Sequence, residues 1–245
     1  MNRRRSLMAT AIILALAATG AVNAQTTSSD EWEYLVAPYL WTSALEGTVT
    51  NLGVPAEVGL SFSDTVDILE GGALVHFEAS NNRWTVLADA IYLAVSQDID
   101  LAAGAVDVDQ AIAEATVGYR FAENFDGLFG VRYTSVDTEL RFGAPINMTV
   151  ASDQDWLDPL IGARWRPVLS ERWSAYLRGD LGGFGVGSDL SWQLRAGALL
   201  EASKRISVSF GYRLLDYDYE DGVGASQFAY DVRLSGLEVG LGIHF

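Results

Sequence analysis

The chain has 245 residues, a formal net charge of −16 at pH 7, and 32 acidic residues against 16 basic ones. Nucleic acid is excluded as a partner, because its phosphates would repel so acidic a chain. The absence of cysteine excludes disulfides and thiolate metal sites, and two histidines are too few for a histidine-based metal cluster, so we expect neither a metal nor a cofactor.

The first predicted element is an export signal. Three arginines at positions 3–5 precede an apolar run over 7–18, and a small-x-small cleavage pattern ends at Ala24. The apolar run is shorter than the roughly 20 residues of a spanning helix. We therefore expect residues 1–24 to be a cleaved signal peptide and residues 25–245 to form one folded domain.

Alternation of apolar and polar residues dominates the rest of the chain. Every second residue is apolar from Ile206 to Leu214, and the stretch from Leu190 to Ala202 follows the same pattern. A period of two kept over about ten residues predicts strands with one apolar face, long enough to cross a membrane when tilted. Turn signals divide the chain into about ten strands (range 8–12): roughly 31–49, 56–80 with an interruption, 84–98, 105–121, 125–142, 154–167, 172–187, 189–203, 206–219 and 228–245.

The predicted connections alternate in length. Short ones fall at 81–82, 122–124, 169–171 and 203–205, and longer ones near 50–55, 98–106, 143–153 and 220–227. The link near 187–189 is short and is an exception to this alternation. Transmembrane barrels have short periplasmic turns, longer external loops and an even number of strands. The sequence thus predicts an all-β, antiparallel up-and-down transmembrane β-barrel with both termini on the periplasmic side. An acidic soluble β-sandwich fits the composition but gives no reason for this alternation.

Aromatic residues are expected to form two belts at the membrane interfaces, since such belts flank the apolar band of transmembrane barrels. The alternative is that they are ordinary core residues. Those beside the short turns are Trp32, Trp84, Phe121, Phe125, Trp165 and Trp173, and those toward the other end are Tyr92, Phe142, Trp156, Tyr217, Tyr219 and Tyr230.

Two kinds of irregularity interrupt the alternation. The segment 63–72 does not alternate, which indicates either a short helix near 64–70, capped by Ser63 or Asp64, or an irregular strand with a bulge. The apolar phase also slips near Val136, Leu215 and Ser235-Gly236, where we expect bulges or the ends of the barrel.

The last strand, 236–245, alternates and ends in Phe245. It resembles the C-terminal signature of bacterial outer-membrane proteins, which implies that the barrel-assembly machinery recognises it, with Phe245 as the assembly signal. An exposed β-edge offers backbone pairing, and its alternate side chains offer specificity.

Three further motifs extend the resemblance: Trp32-x-Tyr34-x-x-x-Pro38-Tyr39-Leu40-Trp41, Gly182-Gly183-Phe184-Gly185-x-Gly187-Ser188-Asp189 and Gly211-Tyr212-Arg213. Together they resemble a group of uncharacterised proteobacterial outer-membrane β-barrel proteins, which are small and porin-like. The resemblance implies the outer membrane of a Gram-negative bacterium as location, with lipids and lipopolysaccharide as partners. It carries no activity.

If the apolar faces meet lipid, the opposite faces line a charged lumen. Mixed charges there should pair, because unpaired buried charge is costly. A barrel of about ten strands is near the size that side chains just fill, so we favour a salt-bridged plug over a narrow passive channel. The predicted lumen charge network comprises Glu78, Asp89, Glu114, Arg120, Arg132, Arg164, Arg178, Asp180, Arg195, Glu201, Arg213 and Arg233.

A lipid-modifying enzyme is the alternative from another class of function. His76, Glu78 and Ser80 share one face of a predicted strand, but residues two apart are about 6–7 Å between Cα atoms, so a working base and nucleophile are not assured. We interpret His76 as a member of the lumen network and His244 as structural. The expected function is a structural, non-enzymatic barrel.

Acidic clusters are expected in external loops. None matches a calcium-binding loop, and we interpret them as solvated surface. Divalent-ion bridging to lipopolysaccharide and a surface adhesin or receptor are weaker hypotheses for the same residues, which are Asp98, Asp100, Asp107 and Asp109; Asp153, Asp155 and Asp158; and Asp216, Asp218, Glu220 and Asp221.

Overall fold

The structure is a computed structural model that describes residues 31–61, 63–64, 69–99, 104–143 and 147–245. The predicted signal peptide lies outside this part of the chain. Long alternating stretches form antiparallel strands here because each can bury one face while its backbone pairs with two neighbours. The strands are β1 (Glu33–Trp41), β2 (Ala44–Asn51), β3 (Val54–Leu60), β4 (Leu69–Ser80), β5 (Trp84–Ile99), β6 (Gly104–Ala122), β7 (Phe125–Phe142), β8 (Met148–Trp165), β9 (Trp173–Gly183), β10 (Leu190–Glu201), β11 (Ile206–Asp221) and β12 (Phe228–His244).

The strands form one sheet that closes on itself. Neighbours run in the order β1, β4 and then β5 through β12, and β12 returns to pair with β1. This ring has ten strands. Strands β2 and β3 form an additional hairpin, in which β2 pairs with residues 229–235 of β12. The predicted all-β antiparallel up-and-down barrel of about ten strands is therefore confirmed. No helix in the described ranges is long and apolar enough to cross a membrane.

Two of the predicted strands are each split into two shorter strands. Strands β1 and β2 follow one another along β12, and the break lies at Thr42, whose N–H donates to the carbonyl of Leu237 at 2.8 Å. The backbone of Thr42 passes so close to Gly236 that a Cβ there would overlap it. Burial along β12 alternates without a break through Ser235-Gly236, so the phase slip there is a change of the apolar residues from the inner to the outer face of the strand. Strands β3 and β4 are the two halves of the predicted interrupted strand 56–80.

The interruption between β3 and β4 is only partly described. Ser63 and Asp64 have helical backbone geometry, and the carboxylate of Asp64 accepts hydrogen bonds from the N–H and Oγ of Ser61 at 2.9 and 2.7 Å. Residues 65–68 of the predicted short helix lie outside the described part of the chain.

The two ends of the barrel differ less in loop length than predicted. We call the end where β1 begins and β12 finishes the near end, and the opposite one the far end. Leu52 and Gly53 alone join β2 to β3 at the far end, whereas residues 166–172 join β8 to β9 at the near end. The connections predicted near 50–55, 98–106, 143–153 and 220–227 are shorter than predicted, because the strands extend into them.

The apolar face changes side along the strands. In β11, Phe210 and Tyr212 point outward near the middle of the strand, but Leu215 and Tyr217 farther along point inward and are buried. The pairing of β11 with β12 runs through this point without a register shift, as does that of β7 with β8 at Val136. The phase slips at Val136 and Leu215 are therefore not bulges. They mark where the apolar outer band ends and an apolar interior begins.

Candidate functional site

The interior of the barrel holds three groups of ion pairs in its near half and middle. The central group contains Glu114 on β6, Arg132 on β7, and Arg178 and Asp180 on β9. Arg132 Nη2 lies 2.9 Å from Glu114 Oε2 and 2.5 Å from Asp180 Oδ1. Arg178 Nη2 lies 3.0 Å from Asp180 Oδ2 and also contacts Glu114 Oε1. Two cations and two anions thus pair with each other in the buried interior.

The second group joins β5, β10, β11 and β12. Arg213 Nη1 lies 3.2 Å from Asp89 Oδ1, and Arg195 Nη2 lies 3.1 Å from Glu238 Oε1. The Oη of Tyr39 donates to Asp89 Oδ1 at 2.7 Å. This group is also balanced, with two guanidinium groups and two carboxylates.

The third group lies nearest the near end. Arg164 binds Glu78 through Nη1 at 2.9 Å and Asp126 through Nη2 at 2.7 Å. Arg166 Nη1 shares Glu78 through Oε1 at 3.0 Å, and Arg120 Nε shares Asp126 through Oδ1 at 3.2 Å. Three arginines thus share two carboxylates, which leaves one positive charge in excess.

The structure places all but two of the predicted lumen residues in these groups. Glu201 lies instead at the exposed near-end rim of β10. Arg233 points outward on the far half of β12, where its Nε binds Asp216 Oδ2 at 2.8 Å and its guanidinium lies over the ring of Trp192. Its assignment to the lumen is wrong, because beyond the apolar band the polar side chains face outward.

Several interior residues were absent from the predicted network. Asp126 and Glu238 are buried ion-pair partners that were missed. Glu238 could have been found, because it is a single acid on the polar face of an otherwise apolar alternating strand, whereas Asp126 follows a turn directly and gives no such signal. Asp158, predicted in an external loop, is wholly buried on β8 and accepts hydrogen bonds from the N–H and Oγ of Ser188.

An apolar plug fills the far half of the interior. Trp156 stacks on Tyr219 with ring centroids 4.2 Å apart, and the edge of Tyr217 meets it at 5.7 Å. The guanidinium of Arg213 lies over the Trp41 ring at 4.8 Å and joins the ion pairs to this plug. We define the plug by its buried members: Trp41, Ile91, Ile112, Val136, Trp156, Leu215, Tyr217, Tyr219, Phe228, Tyr230, Val232 and Leu234.

The plug overturns half of the aromatic prediction. Trp156, Tyr217, Tyr219 and Tyr230 were expected in an outer belt, but they are core residues, because the apolar face turns inward in the far half. Tyr92 is half-buried on β5, and the side chain of Phe142 lies outside the described part. The residues of the other predicted belt are exposed aromatic side chains at the near end, and their place at a membrane interface stays a prediction: Trp32, Trp84, Phe121, Phe125, Trp165 and Trp173.

A cavity of about 120 Å³ occupies the near half of the lumen. Leu35, Leu87 and Leu199 form apolar parts of its wall, and Arg166 and Tyr176 contribute polar parts. The buried ion pairs and then the plug lie between this cavity and the far end. Side chains of the ion pairs and of the plug thus occupy the lumen beyond this cavity.

Neither histidine completes a hydrolytic site. His76 Nδ1 lies 3.1 Å from Asp89 Oδ2, and Glu78, on the same strand face, binds arginines instead. His244 Nε2 lies 2.9 Å from the Oγ of Ser207. A triad needs serine, histidine and an orienting acid in one chain of hydrogen bonds. The described residues pair histidine with an acid in one place and with a serine in another.

The acidic residues predicted in loops lie mainly on strands. Asp109, Asp137 and Asp153 face outward in direct register across β6, β7 and β8. Burial, followed by the facing carboxylates of Asp153 and Asp109, raises the pKa of Asp137 above its ordinary value. No group of three or more histidine or acidic residues in the described ranges could hold a metal ion. Asp100 lies outside those ranges, and the side chain of Asp98 is not described.

The barrel is similar to solved structures at low sequence identity. Ail, the attachment invasion locus protein of Yersinia pestis, in complex with the heparin analogue sucrose octasulfate, matches with a TM-score of 0.42 and 11% identity over 87% of this chain and 98% of that one. The translocator domain of the autotransporter NalP from Neisseria meningitidis gives 0.41 and 13% over 98% and 93%. Neisserial surface protein A gives 0.37 and 10% over 87% and 97%.

No protein-family model matches the chain, and no curated protein does so. The assignment of the fold therefore rests on the strand pairing itself. The resemblance to small uncharacterised outer-membrane barrels stays a prediction.

Proposed function

We propose that this chain is a structural, non-enzymatic β-barrel of the Gram-negative outer membrane whose lumen does not conduct. The observation that carries the proposal is the filled interior. The guanidinium of Arg132 has 0% exposure, and the plug of stacked aromatic rings closes the lumen beyond it. Side chains fill a barrel of about eight strands, whereas 16–18 strands leave an aqueous channel. A ring of ten strands filled in this way belongs to the first class.

The outer surface supports insertion into a membrane. Leu237, Val239, Leu241 and Ile243 alternate outward on β12 and are exposed. At about 3.3 Å per residue and a tilt of about 40°, the outward apolar stretch from Phe125 to Tyr133 on β7 rises roughly 20–25 Å, close to the apolar band of about 25 Å in transmembrane barrels. Exposed aromatic rings at the near end suit a membrane interface.

The orientation follows from the charges outside this band. The outward carboxylates lie at the far end, and both ends of the described barrel chain lie at the near end. We therefore place the near end on the periplasmic side, where the assembly machinery would meet β12, and the far end beside lipopolysaccharide.

Electrical recording tests the proposal. Refolded protein in planar bilayers should give no reproducible current steps, with incorporation verified by flotation of the same preparation with lipid vesicles. Recovery of the exported protein with outer membranes on a density gradient tests its location. Reproducible steps from the folded protein, absent from mock-refolded samples, would contradict a closed lumen, and recovery in the soluble periplasm would contradict the membrane assignment.

A further inference from the structure

The cavity at the near end has features that a barrel with a purely structural role does not require. It measures about 120 Å³, and a buried water needs about 10–15 Å³ of such volume, so the cavity has room for a small organic molecule. The register places its outer lining at the start of β1 and the end of β12, where Leu35 pairs with His244. A ligand would therefore enter from the near end.

One excess positive charge lies at this cavity. The central and second ion groups are balanced, whereas Arg120, Arg164 and Arg166 share only Glu78 and Asp126. Glu78 already receives two hydrogen bonds from Arg164, at 2.9 and 3.3 Å, so the further bond from Arg166 shares an acid that is neutralised. The excess charge thus lies on Arg120 and Arg166, which each share an acid with Arg164, and one of these two is the most exposed member of the group.

Arg166 is that member, with 37% of its side chain exposed, and it lines the cavity. A guanidinium has five N–H donors in a planar fork, and the contact with Glu78 uses Nη1. The remaining donors suit a carboxylate, which a guanidinium binds through two parallel hydrogen bonds. Because Arg166 shares an acid that Arg164 already neutralises, a further carboxylate bound to Arg166 would balance the charge of this group.

The rest of the wall indicates what the anion carries. Leu35, Leu87 and Leu199 supply an apolar surface beside Arg166. A small inorganic anion would leave that surface in contact with water, whereas a short hydrocarbon chain would cover it. We infer that the near-end cavity binds a small amphipathic carboxylate, with Arg166 holding the carboxyl group and the leucines holding a short apolar body.

Calorimetric titration of the refolded protein with hexanoate, in a detergent with an uncharged headgroup, tests the inference. Binding should saturate, and hexanamide and inorganic phosphate should each bind at least about tenfold more weakly. R166Q should weaken hexanoate binding about ten- to a hundredfold, which is what the loss of a charge-assisted hydrogen bond of about 1.5–3 kcal/mol gives. R172Q, at an exposed arginine on the same end of the barrel, should change it less than about twofold.

A second variant keeps the test decisive if R166Q fails to fold. L199W fills the cavity without changing any charge and should abolish binding, with folding checked for every variant by circular dichroism. No saturable binding, or undiminished binding by folded R166Q or L199W, would overturn the inference. Binding of phosphate as tight as that of hexanoate would overturn the inference that the leucines hold an apolar body. The titration is made in solution, so its outcome is independent of whether the barrel conducts.

Discussion

Buried charge is tolerated in this barrel because each charged group has several partners. Arg132 donates to carboxylates from two different strands, and Asp180 receives hydrogen bonds from Arg132, Arg178 and Gln193. Removing a charge from water costs several kcal/mol, and a single contact does not return that amount. Asp158 also has several partners, which are neutral: the hydroxyls of Ser188 and Ser191 and the backbone N–H of Ser188 donate to its carboxylate.

Replacing Arg132 by methionine should be strongly destabilising. The variant removes one of the two arginines that bridge Glu114 and Asp180 and leaves these buried carboxylates with Arg178 between them, so we expect a loss of about 3–5 kcal/mol in the free energy of unfolding. Urea titration of vesicle-inserted protein measures it. R141M breaks an exposed pair with Asp107 and should cost no more than about 1 kcal/mol. Similar losses in the two variants would show that burial does not set the value of the Arg132 contacts.

Strands are the scale at which the sequence is most informative, because alternation is local. The pattern around Ile206–Leu214 predicts β11 without any knowledge of its neighbours. What the pattern does not contain is the environment outside each face. Tyr217 and Tyr219 alternate in the opposite phase from Phe210, but whether they meet lipid or interior depends on where the membrane band ends.

The ion pairs show the same limit at the level of partners. Arg164 and Glu78 are each identifiable as charged residues on the inward face of a strand, but they are 86 positions apart, and closure of the whole barrel brings them together. Asp89 and Arg213 are 124 positions apart. The sequence thus predicts which residues belong to the ion-pair network better than it predicts which of them pair. It contains no sign of the cavity, because the cavity is a gap between side chains from many strands.

Strand β12 allows a prediction about assembly. Phe245 is 70% exposed and stacks on Tyr34 with ring centroids 5.8 Å apart, so it contributes little buried surface to the fold. If it is the assembly signal, F245A should lower the amount of protein folded in the outer membrane several-fold, whereas F245Y should retain assembly. Refolding of purified F245A in detergent should match the unchanged protein. Equal loss in the cell and in detergent would indicate a role in stability instead of recognition.

Charge is segregated across the whole molecule. In the near half and middle of the interior, arginines and acids nearly balance each other. The acidic residues behind the net charge of −16 include those on the outward far-end surface. The outward surface has neighbouring carboxylates in register, as at Asp218 and Asp231, where burial and the acids around Asp218 raise its pKa. Like charges directly opposite each other on a sheet are destabilising. The strongly negative surface of the far end therefore lowers the stability of the barrel.

Neutralising the middle of the three-strand acidic row should stabilise the barrel at neutral pH. Asp137 lies between Asp109 and Asp153, and its raised pKa means that the folded state holds this proton more tightly than the unfolded state. Stability is thus lost as the pH rises through the folded pKa. D137N should raise the free energy of unfolding by a few tenths of a kcal/mol at pH 7. The gain should disappear below the ordinary aspartate pKa of about 4, and shrink in high salt. E171Q, at an exposed near-end acid, should give no comparable gain. Denaturant titrations at both pH values measure these differences, and a gain that persisted at acid pH would require a cause other than repulsion.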